Sequence, residues 1–282
     1  MTRRWLWYAL SGLALYLVFL VATAPAAWVS WALARESGGT LNIDRPDGTV
    51  WRGRGALVIR TASVLPRSLG TVRWALNPLW LFAGRLHVHA VMNGPGTDIR
   101  ADVALGYHRV GLSAVDATFP AQLLSTLYSP AALFGPAGAF HVSAKRLTLA
   151  GRDVTGTAAI EWQQAASSLS SVRPLGDYRL YLEGHGRSVA LRVETLHGNL
   201  GIAGSGSWEP ARGVGQFSGT AKPDADPVAL EPVLRLFGAD RGRGTRMFDW
   251  QWNTGPMAMD GAGPPTESAF RFRTRRMAER LG

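Results

Sequence analysis

The chain contains no cysteine. That excludes disulfide staples, thiolate metal sites and cysteine nucleophiles, so an exported part must be held by its core alone. Lysine is almost absent as well: only Lys145 and Lys222 occur, and the rest of the positive charge is arginine. Lys plus Arg number 30 against 20 acidic residues, a formal net charge of +10. The arginines are scattered singly, with one concentration at Arg271, Arg273, Arg275, Arg276 and Arg280. No basic stripe suits a helix entering a groove, so nucleic acid is not an expected partner. A solvated surface accounts for the charge; attraction to anionic lipid head groups is the functional alternative.

Catalytic signatures are lacking too. There is no Gly-x-Ser-x-Gly elbow and no His-Glu-x-x-His. Gly213, Gly215 and Gly219 approach a dinucleotide fingerprint, but the last spacing is wrong and they sit among period-two segments. His87 and His89 share a strand face, but no nearby carboxylate completes a metal set. Asp98 and Asp102 share a face with Arg100 between them and read as solvated strand charge. No catalytic residue, cofactor or metal is expected.

What is present begins with an uncharged run from Trp5 to Ala34, between Arg3-Arg4 and Arg35-Glu36. It exceeds the roughly 20 apolar residues a bilayer-crossing helix needs, and lipid leaves backbone groups no partner outside a helix. The expected anchor residues are Trp5, Leu6, Leu13, Leu15, Leu17, Phe19, Val21 and Trp28, with Trp5, Trp7, Tyr8, Trp28 and Trp31 in the two interfacial belts. Arg3, Arg4 and the terminal amine keep the leading side cytoplasmic, which places everything after Arg35 across the membrane. A cleaved signal peptide is the alternative: Ala22-Thr23-Ala24 offers small residues, although the apolar core exceeds the usual length of about 7–15 residues. Pro25 is expected to kink the helix or mark its exit.

Beyond residue 35 the rhythm becomes period two. Trp51, Gly53, Gly55, Leu57 and Ile59 alternate with Arg52, Arg54 and Arg60. Leu86, Val88, Ala90 and Met92 alternate with Arg85, His87 and His89. Similar alternation runs over Thr97 to Leu105, Asp177 to Gly184 and Arg187 to Leu196. Such segments make strands with one apolar and one wet face. Turns are expected at Pro46-Asp47-Gly48, Asn93 to Gly96, Gly151 to Asp153, Gly184-His185-Gly186 and Gly198-Asn199. Short helices are expected from Asn77 to Phe82, Pro120 to Phe134 and Asp226 to Phe237, the last with an Asp cap and a first-turn proline. The fold class is therefore mainly β: an N-terminal transmembrane helix, then a curved antiparallel β-meander with short helical insertions. The expected domains are residues 1–35 as cytoplasmic stub and anchor, 36–252 as a β domain across the membrane, and 253–282 as a disordered Gly/Pro-rich linker and basic tail.

The chain holds 11 tryptophans. An open sheet must hide its apolar face by curling, by helices, by a partner or by lipid. Trp51, Trp74, Trp80 and Leu86 are the expected sheet-face residues shaping such a contact.

Certain words along the chain carry a resemblance: Gly48-Thr49-Val50-Trp51-Arg52-Gly53, then Leu69 to Pro78, then Gly84-Arg85-Leu86, then Leu175-Gly176-Asp177-Tyr178-Arg179-Leu180. In this order, after one anchor, they resemble the type II secretion system protein N family, from about Gly39 to about Trp252. The sequence is also distantly similar to AsmA-like periplasmic proteins, whose curved sheets are associated with lipid handling. The resemblance implies an accessory, non-catalytic protein of the cell inner membrane of Gram-negative bacteria, with residues 36–252 as its periplasmic domain. Its partners would be inner-membrane lipids and other type II secretion components. Binding or transfer of a phospholipid in an apolar sheet groove is the alternative function.

Overall fold

The computed structural model describes residues 2–253 except 62–63, 79, 81–83, 128, 225, 239, 241 and 243. The side chains of the expected anchor residues Trp5 and Leu6, and the expected tail beyond Asn253, lie outside the described residues.

The uncharged N-terminal run does not fold as one helix. Helix α1 spans Thr2–Ala22 and α2 spans Ala27–Glu36. Pro25 has no amide hydrogen to continue a helix ladder, and instead bridges Thr49. The break is sewn to the chain near Trp51: Ala26 N–H donates to the Gly48 carbonyl at 3.1 Å and Val50 N–H to that of Ala24 at 2.8 Å. Trp28, expected in the anchor, therefore belongs to a different helix from Leu13 to Val21. Among the described residues, no helix is long and apolar enough to cross a membrane.

After α2 the chain is almost entirely strand, as the alternation predicts. The chain forms two compact units, Met1–Pro95 and Gly96–Gly282. The first holds β1 (Leu41–Gly48), β2 (Arg52–Thr61), β3 (Val64–Asn77) and β4 (Arg85–Gly94). Each pairs antiparallel with the next. The turn expected at Pro46-Asp47-Gly48 is instead the end of β1, where a register shift between Asp44 and Asp47 absorbs the proline. The chain reverses at Thr49 to Trp51.

The core of this unit lies under α2. Ala26, Ile43 and Trp74 are buried, with Val29, Leu33, Leu57, Val72 and Leu76 packed on them. Ser30 Oγ donates to Asn42 Oδ1 and to the Ile43 carbonyl, both at 2.8 Å, fastening α2 along β1. Gly53 faces Trp74 across the β2–β3 ladder. An added Cβ there would run into the Trp74 indole, which explains a glycine in the middle of a strand.

Among the described residues the second unit holds nine strands: β5 (Thr97–Gly106), β6 (Arg109–Pro120), β7 (Ala137–Ala150), β8 (Asp153–Ala166), β9 (Gly176–Gly186), β10 (Val189–Gly198), β11 (Leu200–Glu209), β12 (Val214–Pro223) and β13 (Arg246–Asn253). Every consecutive pair is antiparallel. The break expected at Gly184-His185-Gly186 falls inside β9, and the turn comes at Arg187-Ser188. Helices α3 (Gln122–Leu127) and α4 (Ser129–Ala132) follow β6 within the region expected to be helical. Helix α5 (Pro227–Leu234) continues as a 3-10 turn over Arg235–Phe237, as Asp226-Pro227 predicts. Asp226 Oδ1 accepts from Ala229 N–H at 3.1 Å, a side-chain cap on one of the first amides.

The core of the second unit sits where α5 meets the strands. Leu230, Val233 and Leu234 pack with Ala165, Leu175, Tyr178, Leu200 and Ala221, and Trp162, Ile202 and Phe237 flank them.

Candidate interaction surface

Period-two alternation, in register across nine strands, gives the second unit two unlike faces. One row of paired positions reads Ile99, Ala117, Val142, Ile160, Leu180, Val193, Gly204, Gly219 and Phe248. It contains no polar side chain. The row one residue away reads Arg100, Asp116, Ser143, Ala159, Tyr181, Arg192, Ser205, Ser218 and Asp249, and it faces the other way.

On the apolar face, aromatic rings form a ladder across four strands. Phe119 and Phe140 have centroids 5.7 Å apart, Phe140 and Trp162 are 5.4 Å apart, and Trp162 and Tyr178 are 6.1 Å apart. These spacings suit favourable ring contacts. A second group gathers Phe217, Phe237, Phe248 and Trp250, with Phe248 and Trp250 at 4.6 Å. Gly215 and Gly219, two of the three glycines in the near-fingerprint, lie beneath the Trp252 and Phe248 rings. They provide room for aromatic side chains within a strand.

Helix α5 covers one end of this face, at Tyr178, Leu200 and Ala221. Val142, Ile160, Leu180, Leu182, Leu191 and Val193 remain only half-buried. Sequence reading finds the alternation of Tyr178, Leu180 and Leu182 and misses its continuation in Phe119 and Phe140. A signal exists, since Gly138, Phe140, Val142 and Ala144 alternate with Ala139, His141 and Ser143 within β7.

The polar face carries an arginine–carboxylate cluster and a histidine–carboxylate contact. Arg179 meets Glu161 at 2.8 Å and Glu194 at 4.0 Å, and His197 meets Asp177 at 2.6 Å. Pairs that water reaches in this way contribute little. Burial, with the Asp177 charge second, pushes the Tyr178 phenol above its ordinary range; its hydroxyl donates to the Leu200 carbonyl at 2.9 Å. Tyr178 is thereby a core strut.

Under α5 lies a buried cation. Arg246 on β13 is almost fully buried and its Nη2 lies 2.7 Å from Glu231 Oε2. The Arg235 hydrogen bond, with Arg246 also contributing, holds the Glu231 carboxyl below its usual range. A depressed folded value means the stabilisation is present above the unfolded value of 4.5 and disappears as pH falls through the folded one. Glu231→Gln should therefore show a flatter fall in melting temperature between about pH 5 and 3 than the unmodified chain. Equal slopes in pH-resolved thermal unfolding would refute this assignment.

The four expected sheet-face residues do not form one patch. Trp74 is buried beneath α2, its indole N–H donating to the Val50 carbonyl at 3.0 Å. Trp51 is half-buried, and its indole N–H donates to the Val21 carbonyl at 2.8 Å, at the end of α1. These two come together at the α1–α2 break. Trp80 is exposed and lies against His87 at 4.9 Å. Leu86 is half-buried on β4. Among the described residues no group of three or more His, Cys, Asp or Glu could hold a metal. Asp98 is engaged by Arg100 at 3.2 Å.

The motif words of the sequence acquire a physical meaning here. The Trp51 indole holds the end of α1, and the Trp74 indole fills the space over Gly53. No curated protein and no solved structure gives a significant match to the chain. The family model of the type II secretion system protein N matches residues 39–248, which span β1 to β12 in full and carry all these words. With most of its length matched in this way, the chain belongs to the type II secretion system protein N family.

Proposed function

We propose that this protein is a non-catalytic, single-pass inner-membrane component of type II secretion. The anchor is the uncharged run that begins at Trp5 and includes α1, whose described part alone is not long and apolar enough to cross a membrane; its N-terminus is cytoplasmic, and the β units meet other secretion components in the periplasm. The anchor reading is supported by α1 itself: Leu13, Leu15, Leu17, Phe19 and Val21 are 51–73% exposed, and water disfavours such a surface. Arg3 and Arg4 stand in its first turn, ahead of the uncharged run, which sets the orientation.

The observation that carries the contact role is the apolar row crossing nine strands. Helix α5 hides only one end of that face. Strand addition at β1 is disfavoured by the Asp44 to Asp47 bulge, by Pro46 and by the neighbouring charges. The face, rather than that edge, is therefore the contact surface.

A second reading rests on the same face. A continuous strip of Val, Ile and Leu suits acyl chains, which makes phospholipid binding the alternative to protein contact. Both are tested on the full chain, extracted gently from cells assembling the secretion machine. Affinity capture should recover secretion components. Capture of none, together with phospholipid at fixed stoichiometry in native mass spectrometry, would replace the first reading with the second.

A further inference from the structure

Helix α2 has two opposite faces, and only one is used by the protein. At about 100° per residue, Ala26, Val29, Leu33 and Ser37 fall within one arc. All four are turned to the sheet: Ala26 is buried with Ile43 and Trp74, Val29 and Leu33 pack on that cluster, and Ser37 Oγ accepts from Leu41 N–H at 3.0 Å. Trp28, Trp31 and Arg35 fall within about 60° of one another on the opposite side. Trp28 is 59% and Trp31 63% exposed. The Arg35 guanidinium lies 5.4 Å from the Trp31 ring centre, so the charge shares the aromatic face.

We infer that the outer face of α2 is a second membrane contact: it lies in the head-group region and holds the first β unit against the bilayer. The inference rests on the anchor reading of α1. Three observations converge on lipid as the occupant. Only Thr23 to Ala26 separate α2 from α1, so a membrane-inserted α1 delivers Trp28 to the bilayer surface. Indole is amphipathic and favours the interface over both water and hydrocarbon. An arginine beside it can meet lipid phosphate while its stem covers apolar surface. An amphipathic helix with Trp and Arg on its free face is the form that lies in the plane of a membrane. The hydrogen bonds from Ser30 to Asn42 and Ile43 prevent α2 from rotating away from the sheet. Burial of the two indoles in lipid therefore fixes the tilt of β1 to β4 as well.

The absence of cysteine makes the test clean. Trp28→Cys, Trp31→Cys, Leu15→Cys and Thr71→Cys variants of the full chain each carry a single environment-sensitive fluorophore. They are reconstituted into vesicles of phosphatidylethanolamine and phosphatidylglycerol. Thr71 is exposed on the sheet face opposite Trp74. The expected result is a blue-shifted emission at 28 and 31 that falls at least twofold with lipids bearing a shallow quencher. Leu15 should respond to a deep quencher and Thr71 to neither. Quenching at 15 without quenching at 28 and 31 overturns the inference, leaves the anchor standing and assigns the α2 face to a protein. No quenching at 15 overturns the anchor and the inference together. Quenching at 71 as strong as at 31 also overturns it, because the sheet would then lie on its other face.

Discussion

Leu234→Ala is expected to lower the unfolding free energy of the second unit by about 3–4 kcal/mol. Leu234 is fully buried, as is Leu230 one turn earlier on the same helix. It closes a cluster with Leu175, Tyr178, Leu200 and Ala221. The strands around it belong to a ladder that is already hydrogen-bonded, so they are unable to collapse into the space left behind. The cost therefore combines lost burial with a residual cavity. Leu236, two residues on, is 45% exposed. Leu236→Ala should cost no more than about 0.5 kcal/mol. Urea unfolding of the full chain in detergent, followed by tryptophan emission, reads both, because Trp162 packs on the cluster. Equal losses for the two variants would show that α5 does not seal the end of the apolar face. The contact surface would then be larger than proposed.

The same helix shows why some elements are legible in sequence. Asp226 caps and Pro227 pre-sets the first turn, and both effects act within four residues. Local physics of this kind survives without knowledge of the fold. The alternation in β2, β4, β5, β9 and β10 is legible for a similar reason, since a strand with one wet face records the sheet in its own spacing. Helix α2 is different. From Ala27 to Ala34 its outer residues are Trp and Ala and its inner ones Val, Ser, Leu and Ala. Pro25 signals the break from α1, but hydropathy is nearly uniform around α2, so the sequence does not say which of its sides packs. The tertiary contacts of Val29 and Leu33 decide that. Pro46 deceives in the opposite direction: it reads as a turn, but an edge strand with a bulge tolerates it.

The interaction surface is legible in kind and not in place. Tryptophan content announces large apolar groups, but composition does not say which indole is covered. Trp51 and Trp74 lie on neighbouring stretches of chain, and both donate their N–H to backbone carbonyls. One supports a helix end and the other a core. The aromatic ladder from Phe119 to Tyr178 depends on the registers between successive strands, with bulges in β7 and β8, which the alternation within any one strand does not record.

Trp74→Ala should be the most damaging single change in the first unit, at about 3–5 kcal/mol. Trp74 is 7% exposed and stands between the inner face of α2 and the β2–β3 ladder. Its removal empties the space over Gly53, which has no side chain to offer in return. It also leaves the Val50 carbonyl without the indole donor, beside the point where Val50 N–H holds Ala24. The loss should therefore reach beyond packing to the seam that joins α1 to the sheet. Trp74→Phe separates the two effects: it retains most of the ring burial and loses the hydrogen bond, for a smaller cost of about 1–2 kcal/mol. Trp80→Ala is the control, since Trp80 is 43% exposed and lies against His87 past the end of β3; its cost should stay near about 0.5 kcal/mol. Thermal unfolding of the three variants in detergent gives the order Trp74→Ala, Trp74→Phe, Trp80→Ala. If Trp80→Ala proved as harmful as Trp74→Ala, the core of this unit would not lie under α2. The helix would then be free to leave the sheet, and its outer tryptophans could not hold β1 to β4 at a membrane.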